Sequence, residues 1–367
     1  MEWWGWPVTA LGVVMAIAIL LDVVLSVFHL DLSGPISTAT QRAISRLMVL
    51  ISKRSRWAHR SLLALIGPAA IVSTLFVWVG LFILSFALIV WPHMNEAFSS
   101  ASGLEPLGFI DALYYSGGTG MVLGYGDITP QSAIWKILSF VEAGLGFALM
   151  TAIITYMLTV TNAVAERNAL ANEVLGETDR AGDAINHLIL SFNYEDVSGL
   201  HNRLQGLLDG LQGLRARLRE LPGIELYYRS RDPSRDFEPM MRAITEMTIA
   251  GQLLCSDERA KRLYLTVEGL ARATTDVMNL VVTRQMSREV LYKFQHPEPE
   301  QRDVKFLEDV RGHLVEGIGA EYLIHSTAAD EAALVLAFRL RLFLKEIDRL
   351  TGWSIDHIAD ADRELYR

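Results

Sequence analysis

The sequence predicts an all-α membrane protein with a helical soluble half. Two observations lead there. Three apolar runs of membrane length fall in the first 165 residues, and everything after Ala163 shows helical rather than strand periodicity. A third observation shapes the membrane half. Between the second and third runs lies a short, half-apolar helix at Phe109 to Gly120, too short to span, followed by a glycine-rich stretch. Non-helical backbone at membrane depth is tolerated only where protein or a water-filled cavity satisfies it, so a re-entrant helix and loop are expected there.

The first run covers Pro7 to Leu30, above the ~20 residues that a spanning helix needs. Its start, Met-Glu-Trp-Trp-Gly-Trp, has no basic region and no small-residue cleavage site, so it reads as a span rather than a cleaved signal. Trp3, Trp4 and Trp6 suit an interfacial anchor. Asp22 lies inside this span, where a carboxylate is costly. Two readings are open: a hydrogen-bonding partner for the pore or a neighbouring span, or an Asp near the interface with a local donor. The second run covers Ile66 to Trp91, with Pro68 in its first turn, and the third covers Ala133 to Val160.

The loop between the first two spans carries Arg42, Arg46, Lys53, Arg54, Arg56 and Arg60, opposed only by Asp31. The positive-inside rule makes this loop cytoplasmic, the N-terminus external and the C-terminal half cytoplasmic, in a multi-pass protein of the inner (plasma) membrane. Ile44, Leu47, Met48 and Ile51 fall on one helical face within the loop, as in an interfacial slide helix, with lipid-facing packing as the plainer account. The predicted division is residues 1–32, an extra leading helix; 33–61, a basic linker with an interfacial helix; 62–165, the re-entrant unit with its two flanking spans; and 166–367, the helical cytoplasmic domain.

Composition agrees. The chain is 51% hydrophobic, yet residues 1–165 hold 7 Lys and Arg against 8 Asp and Glu, while the remainder carries 26 against 34. An acidic soluble half argues against nucleic-acid binding. The single cysteine, Cys255, cannot form an intrachain disulfide and reads as a small buried residue.

The chemistry concentrates in Thr119-Gly-Met-Val-Leu-Gly-Tyr-Gly-Asp127. Alkali cations take oxygen ligands, and consecutive carbonyls aim at one axis only if the backbone alternates through conformations that Gly124 and Gly126 allow. Ala112-Leu-Tyr-Tyr-Ser116, Thr119, Gly124-Tyr-Gly-Asp127 and Pro130 resemble, position for position, the pore loop of the bacterial two-transmembrane-type potassium channel family. Asp22 to His29 followed by Gly34-Pro35 is similar to members with an extra leading helix. The resemblance covers about the first 165 residues. It implies a pore helix, a selectivity filter and a homotetramer, since four filter segments are needed around one axis. It also implies potassium held by the carbonyls of Val122, Leu123, Gly124 and Tyr125, with Gly126 completing the filter. No cofactor, catalytic residue or nucleic-acid partner is implied beyond potassium ions and the lipid bilayer.

The resemblance extends to supporting residues and marks departures. Tyr114 and Tyr115 are expected around Tyr125, with core packing as the alternative. Asp127 either bonds a pore-helix residue or faces the mouth, and Glu96, Glu105 and Asp111 add charge to the same outer side. Glu142 is expected to hydrogen-bond the pore helix, in preference to a proton relay. Gly146 falls where the family has its hinge glycine, and helix packing explains it equally. Met150, Ile154 and Leu158 form one stripe that would line a cavity and gate by dewetting; Thr151, Thr155 and Thr159 form the alternative. The family has Thr-Thr-Val before Gly-Tyr-Gly where this chain has Met121, Val122 and Leu123. Val122 keeps the carbonyl and loses a hydroxyl, which predicts a weakened innermost site and lower conductance or relaxed selectivity. Gly117, Gly118 and Gly120 are helix-destabilising residues that would permit either close packing or an easily deformed filter. A non-conducting sensor or scaffold is the reading from another class. A proton-coupled transporter would need repeats that are not visible.

The C-terminal half offers no such motif. Leu200, Leu204, Leu207, Leu208, Leu211, Leu214 and Leu218 keep helical spacing, ended by Pro222-Gly223 and a charged loop at 229–236. Amphipathic runs follow at 237–255, 257–294, 301–325 and 328–350, with a break at His296 to Pro299. No dinucleotide fingerprint, β-roll, metal spacing or nucleophile triad is present, and His187, His201, His313, His325 and His357 read as ordinary surface or core histidines. A helical bundle that assembles the tetramer, or couples a signal to the inner helix, is expected.

Overall fold

The computed structural model describes residues 5–28, 34–52, 65–101, 106–175, 184–221, 223–228, 236–254, 261–323 and 326–351. Trp3, Trp4, Asp31, Lys53, Arg54, Arg56, Arg60, Glu105, Pro222, Cys255, His325, His357 and residues 229–235 lie outside that set. The chain is an all-α membrane protein. Its contacts divide it into two compact units, 1–47 with 68–161 and 48–67 with 162–367.

The first unit is built on α1 (Gly5–Phe28), α2 (Pro35–Ser52), α3 (Ile66–Val90), the short α4 (Phe109–Gly120) and the first part of α5 (Ala133–Leu175). Helices α1, α3 and α5 are the three that are long and apolar enough to cross a membrane. Close approach sets their packing. A Cβ at Gly12 would lie 2.6 Å from the carbonyl oxygen of Ser85, so α1 and α3 meet backbone to backbone. Polar residues inside α3 are silenced locally. Thr74 Oγ1 donates to Ala70 O and Ser85 Oγ to Phe82 O, which satisfies both buried hydroxyls of the helix.

After α3 the chain makes a single-turn helix, Met94–Ala97, and enters β1 (Phe98–Ser100), which pairs antiparallel with β2 (Ile128–Pro130). Two flanking bonds extend the ribbon, Ala101 N–H to Asp127 O and Gln131 N–H to Ala97 O. This ribbon was not legible as a period-2 pattern because each strand is three residues long. It matters because it fixes the exit of the glycine-rich stretch. Behind it lies a core of Ala87, Val90, Met94, Phe98, Leu107, Ala112, Tyr115 and Ile128.

The second unit is a helical bundle of the end of α5 with α6 (Ala184–Glu220), α7 (Phe237–Leu254), α8 (Lys261–Gln285), α9 (Arg288–Gln295), α10 (Gln301–Gly317) and α11 (Thr327–Thr351). The seven leucines of the α6 stripe are all buried. The end of α5 is fastened to α6 by a two-pronged Arg217–Glu166 pair at 2.7 and 2.8 Å, and Arg167 donates to Ile224 O at 2.8 Å.

Three expectations need correction. Helix α7 is not amphipathic: 16 of its 18 residues are buried, so it is the central helix. Its polar residues allow this because Thr245 and Thr248 bond the carbonyls of Met241 and Ile244, and Arg242 pairs with Glu246. The run 257–294 is two helices, because Ser287 adopts an extended backbone and its Oγ accepts Val290 N–H, starting α9. Helix α10 ends at Gly317 rather than continuing to 325, since Gly319 takes a left-handed φ of 112°.

Candidate functional site

Helix α4 is set by its ends. The Gly108 N–H donates to Asp111 Oδ2 at 2.7 Å, so Asp111 caps the start of α4. At the other end, the carbonyls of the last turn turn back onto the glycine-rich stretch. Val122 N–H donates to Thr119 O, and the amides of Leu123 and Gly124 both donate to Gly118 O. The stretch therefore leaves the helix on a fixed trajectory.

Along that trajectory every second residue is left-handed: Val122 at φ 58°, Gly124 at 61° and Gly126 at 77°. This is the alternation that aligned carbonyls require. Gly124 and Gly126 adopt it freely, but Val122 is β-branched and pays for it. Such a conformation costs about 1–3 kcal/mol and persists only where neighbours over-determine it. The Thr119 and Gly118 carbonyls supply that constraint. Residues 121–126 are all exposed in the single chain.

The two tyrosines of α4 part company. Tyr114 stacks on Tyr125 at 5.6 Å with rings 10° apart, and its hydroxyl donates to Asp127 Oδ2 at 2.9 Å. Asp127 Oδ1 accepts Ile128 N–H, so this carboxylate ties the outer end of the stretch to α4 and to β2. Tyr115 instead lies in the core, edge-on to Phe98, with its hydroxyl bonded to Ser139 Oγ. The glycines of α4 serve contact. A Cβ at Gly118 would sit 3.4 Å from Tyr125, and one at Gly120 would sit 3.0 Å from Phe82.

Gly146 of α5 lies directly against the end of α4, where a Cβ would be 1.9 Å from Gly120 O. No side chain fits there without moving one helix. One turn earlier, Glu142 is buried beside Ser116 and Gly120. Neither of its carboxylate oxygens, nor Ser116 Oγ, makes a hydrogen bond among the described residues. Glu142 thus lies against α4 with the Ser116 hydroxyl beside its carboxylate, while the α4 amides there are already used within the helix.

Further along α5, Glu142, Gly146, Leu149, Ala152 and Tyr156 make the buried face. Ile154 and Leu158 are exposed, Met150 is half-buried, and Thr151, Thr155 and Thr159 each bond the carbonyl four residues back. Both candidate linings thus lie away from the packed face.

A short helix thus runs into an alternating-handed, exposed glycine stretch between two membrane-length helices. Residues 70–162 match the family described as Ion channel. The match covers about a quarter of the chain and marks this segment as similar to ion channels. The chain is also similar to two curated proteins. Over 143 residues the chain is 29% identical to the uncharacterized membrane protein YdjJ of Bacillus subtilis (strain 168), covering 39% of this chain and 40% of that one. Over 97 residues it is 36% identical to two-pore potassium channel 2 of Arabidopsis thaliana, covering 25% of this chain and 21% of that one. The chain spans less than half the length of these relatives. No solved structure matches it.

Sequence reasoning missed the left-handed Val122 and the capping of α2 by Asp22, while the bond from Asp22 to a neighbouring span and the close packing at Gly146 were among its open alternatives. The Asp22 carboxylate is buried among three N–H donors: Ile36 and Ser37 of α2 and Trp78 Nε1 of α3. A signal existed. Helix α2 opens on Gly34-Pro35, with no side chain at the cap position to serve its first amides.

Proposed function

We propose that the chain is one subunit of a homotetrameric channel that conducts potassium passively through the carbonyls of Val122, Leu123, Gly124 and Tyr125. The observation that carries this reading is the left-handed alternation at 122, 124 and 126 on a stretch whose residues are exposed in the single chain. Four copies around an axis would cover that surface and supply four carbonyls to each ion. The match of residues 70–162 to the ion channel family supports it, as does likeness to a plant potassium channel. Passive flux needs no catalytic group, which fits a non-enzyme. The protein sits in the inner (plasma) membrane, N-terminus outside, with the C-terminal bundle in the cytoplasm regulating a gate formed by Met150, Ile154 and Leu158 and flexed at Gly146.

Val122 favours a second reading, a weakly selective cation channel. A valine in place of the family's threonine removes the hydroxyl of the innermost site and strains the backbone as well.

Cation flux through the purified protein in liposomes tests both. The potassium reading expects potassium flux well above sodium flux, abolished by Gly124→Ala with the tetramer intact. Comparable flux of both ions, sharpened toward potassium by Val122→Thr, would establish the second reading. A tetramer that passes neither ion under any condition would overturn both in favour of a scaffold.

A further inference from the structure

The most densely bonded polar cluster in the membrane unit lies away from the filter, and no role in conduction accounts for it. It begins at Asp22 on α1, 1% exposed. Oδ1 accepts Ile36 N–H at 2.7 Å and Oδ2 accepts Ser37 N–H at 3.1 Å. These are the first amides of α2 with nothing to bond inside the helix, so a side chain from α1 caps α2. Gly34 is required by that approach, because a Cβ there would fall 2.2 Å from Asp22 Oδ1. Ser26 completes the junction, accepting Gly34 N–H at 3.1 Å and meeting Ser37 Oγ at 2.9 Å.

The cluster then passes to the other two spans. Oδ2 of Asp22 also accepts Trp78 Nε1–H at 2.8 Å from α3. Trp78, fully buried, meets the ring of Tyr156 on α5 edge-on at 5.5 Å. The Tyr156 hydroxyl accepts Gln41 Nε2–H at 3.0 Å from α2. A closed circuit of four helices results: α1 to α2, α2 to α5, α5 to α3, α3 to α1.

Helix α2 also faces the unit with its polar side. Ser37 and Ser45 are buried and Gln41 is half-buried, while Leu47, Leu50 and Ile51 are exposed. Of the expected apolar face, Leu47 and Ile51 thus look outward while Ile44 and Met48 are half-buried, and directional bonds fix α2 to the bundle on its polar side. Such a hold is made or broken in discrete steps, which is what a two-state element needs. Tyr156 lies two residues from both Ile154 and Leu158, on the opposite face of α5.

We propose that Asp22, Gln41 and Tyr156 are positioning residues that latch α2 to the inner helix α5, so that movement of α2 sets the gate. The inference rests on the channel reading above. Asp22 fixes where α2 starts and Gln41 delivers its position to Tyr156. The filter, held by α4, is untouched.

The test uses the full-length protein in planar bilayers, with Tyr156→Phe, Gln41→Leu and the double variant. Tyr156→Phe removes one hydroxyl and keeps the ring on Trp78. Each single variant is expected to shift open probability about fivefold, the effect of one ordinary hydrogen bond. Unitary conductance and the potassium-to-sodium permeability ratio stay as in wild type, and the double variant shifts no further than either single one. Unchanged open probability, altered conductance or selectivity, or additive effects would overturn the latch. Hydrogen exchange gives a readout independent of flux: Asp22→Asn and Tyr156→Phe speed exchange of the first-turn amides of α2. A silent wild type with that acceleration retains the α2–α5 hold and sinks the channel reading. A silent wild type without it sinks both.

Discussion

Asp22 and Glu142 are both buried carboxylates on membrane-length helices of the same unit, each 1% exposed. Asp22 accepts three N–H donors and Glu142 accepts none among the described residues. The difference lies in which part of a helix each one meets. Asp22 faces the start of α2, where amides have no partner of their own. Glu142 faces the side of α4, whose amides are spent on its own carbonyls, and only the Ser116 hydroxyl is near. A carboxylate inside a membrane unit is thus satisfied by a helix end or an indole, and a helix side does little for it.

Three changes break or sharpen that contrast. The largest effect is expected for Asp22→Ala, which orphans three buried donors at about 1–3 kcal/mol each. A loss of about 3–9 kcal/mol should lower the melting temperature of the purified protein sharply. A loss below 1 kcal/mol would show that water or lipid headgroups replace the carboxylate, and the contrast would collapse. Glu142→Met keeps the volume and discards an unpaired group, so it should stabilise by about 1–3 kcal/mol in the same melt. Destabilisation there would reveal a partner for Glu142 in the assembled protein.

The smallest effect concerns Glu225, a buried carboxylate of the C-terminal bundle that lies between the two extremes. Burial pushes its carboxyl above the usual carboxylate range, against hydrogen bonds from Gly223 N–H and Gln285 Nε2. The folded bundle then keeps this proton to higher pH than the unfolded chain does. Stability contributed by Glu225 is full at low pH and falls as pH rises from the ordinary glutamate value through the raised one. Chemical denaturation at a series of pH values should show that decline, and Glu225→Gln should remove it. A bundle whose pH dependence is the same in both proteins would place Glu225 with Asp22, fully compensated by its donors.

Much of the fold was legible because its signals are local. The bounds of α4 at Phe109–Gly120 followed from a half-apolar pattern, and the α6 leucine stripe from its period. The three spans needed only length and apolarity. The β1–β2 ribbon was invisible because three-residue strands carry no period. The apolar stripe of α2 was legible from its period, and Leu47 and Ile51 of it are exposed as an interfacial helix requires, but nothing in that period showed that the serines opposite would find partners inside. Helix α7 looked amphipathic because its Glu and Thr residues gave no hint that they would be satisfied internally.

The sequence by itself determined the order of spans, the short helix between the last two and a backbone with glycines at 124 and 126, all properties of consecutive residues. Only the tertiary structure decided which polar groups meet. It set Asp22 on the amides of α2, parted Tyr114 from Tyr115, made Val122 left-handed and brought Gly146 onto Gly120. Each depends on residues between three and 56 positions apart. Steric approach and hydrogen-bond supply between helices select them, and no local pattern encodes either.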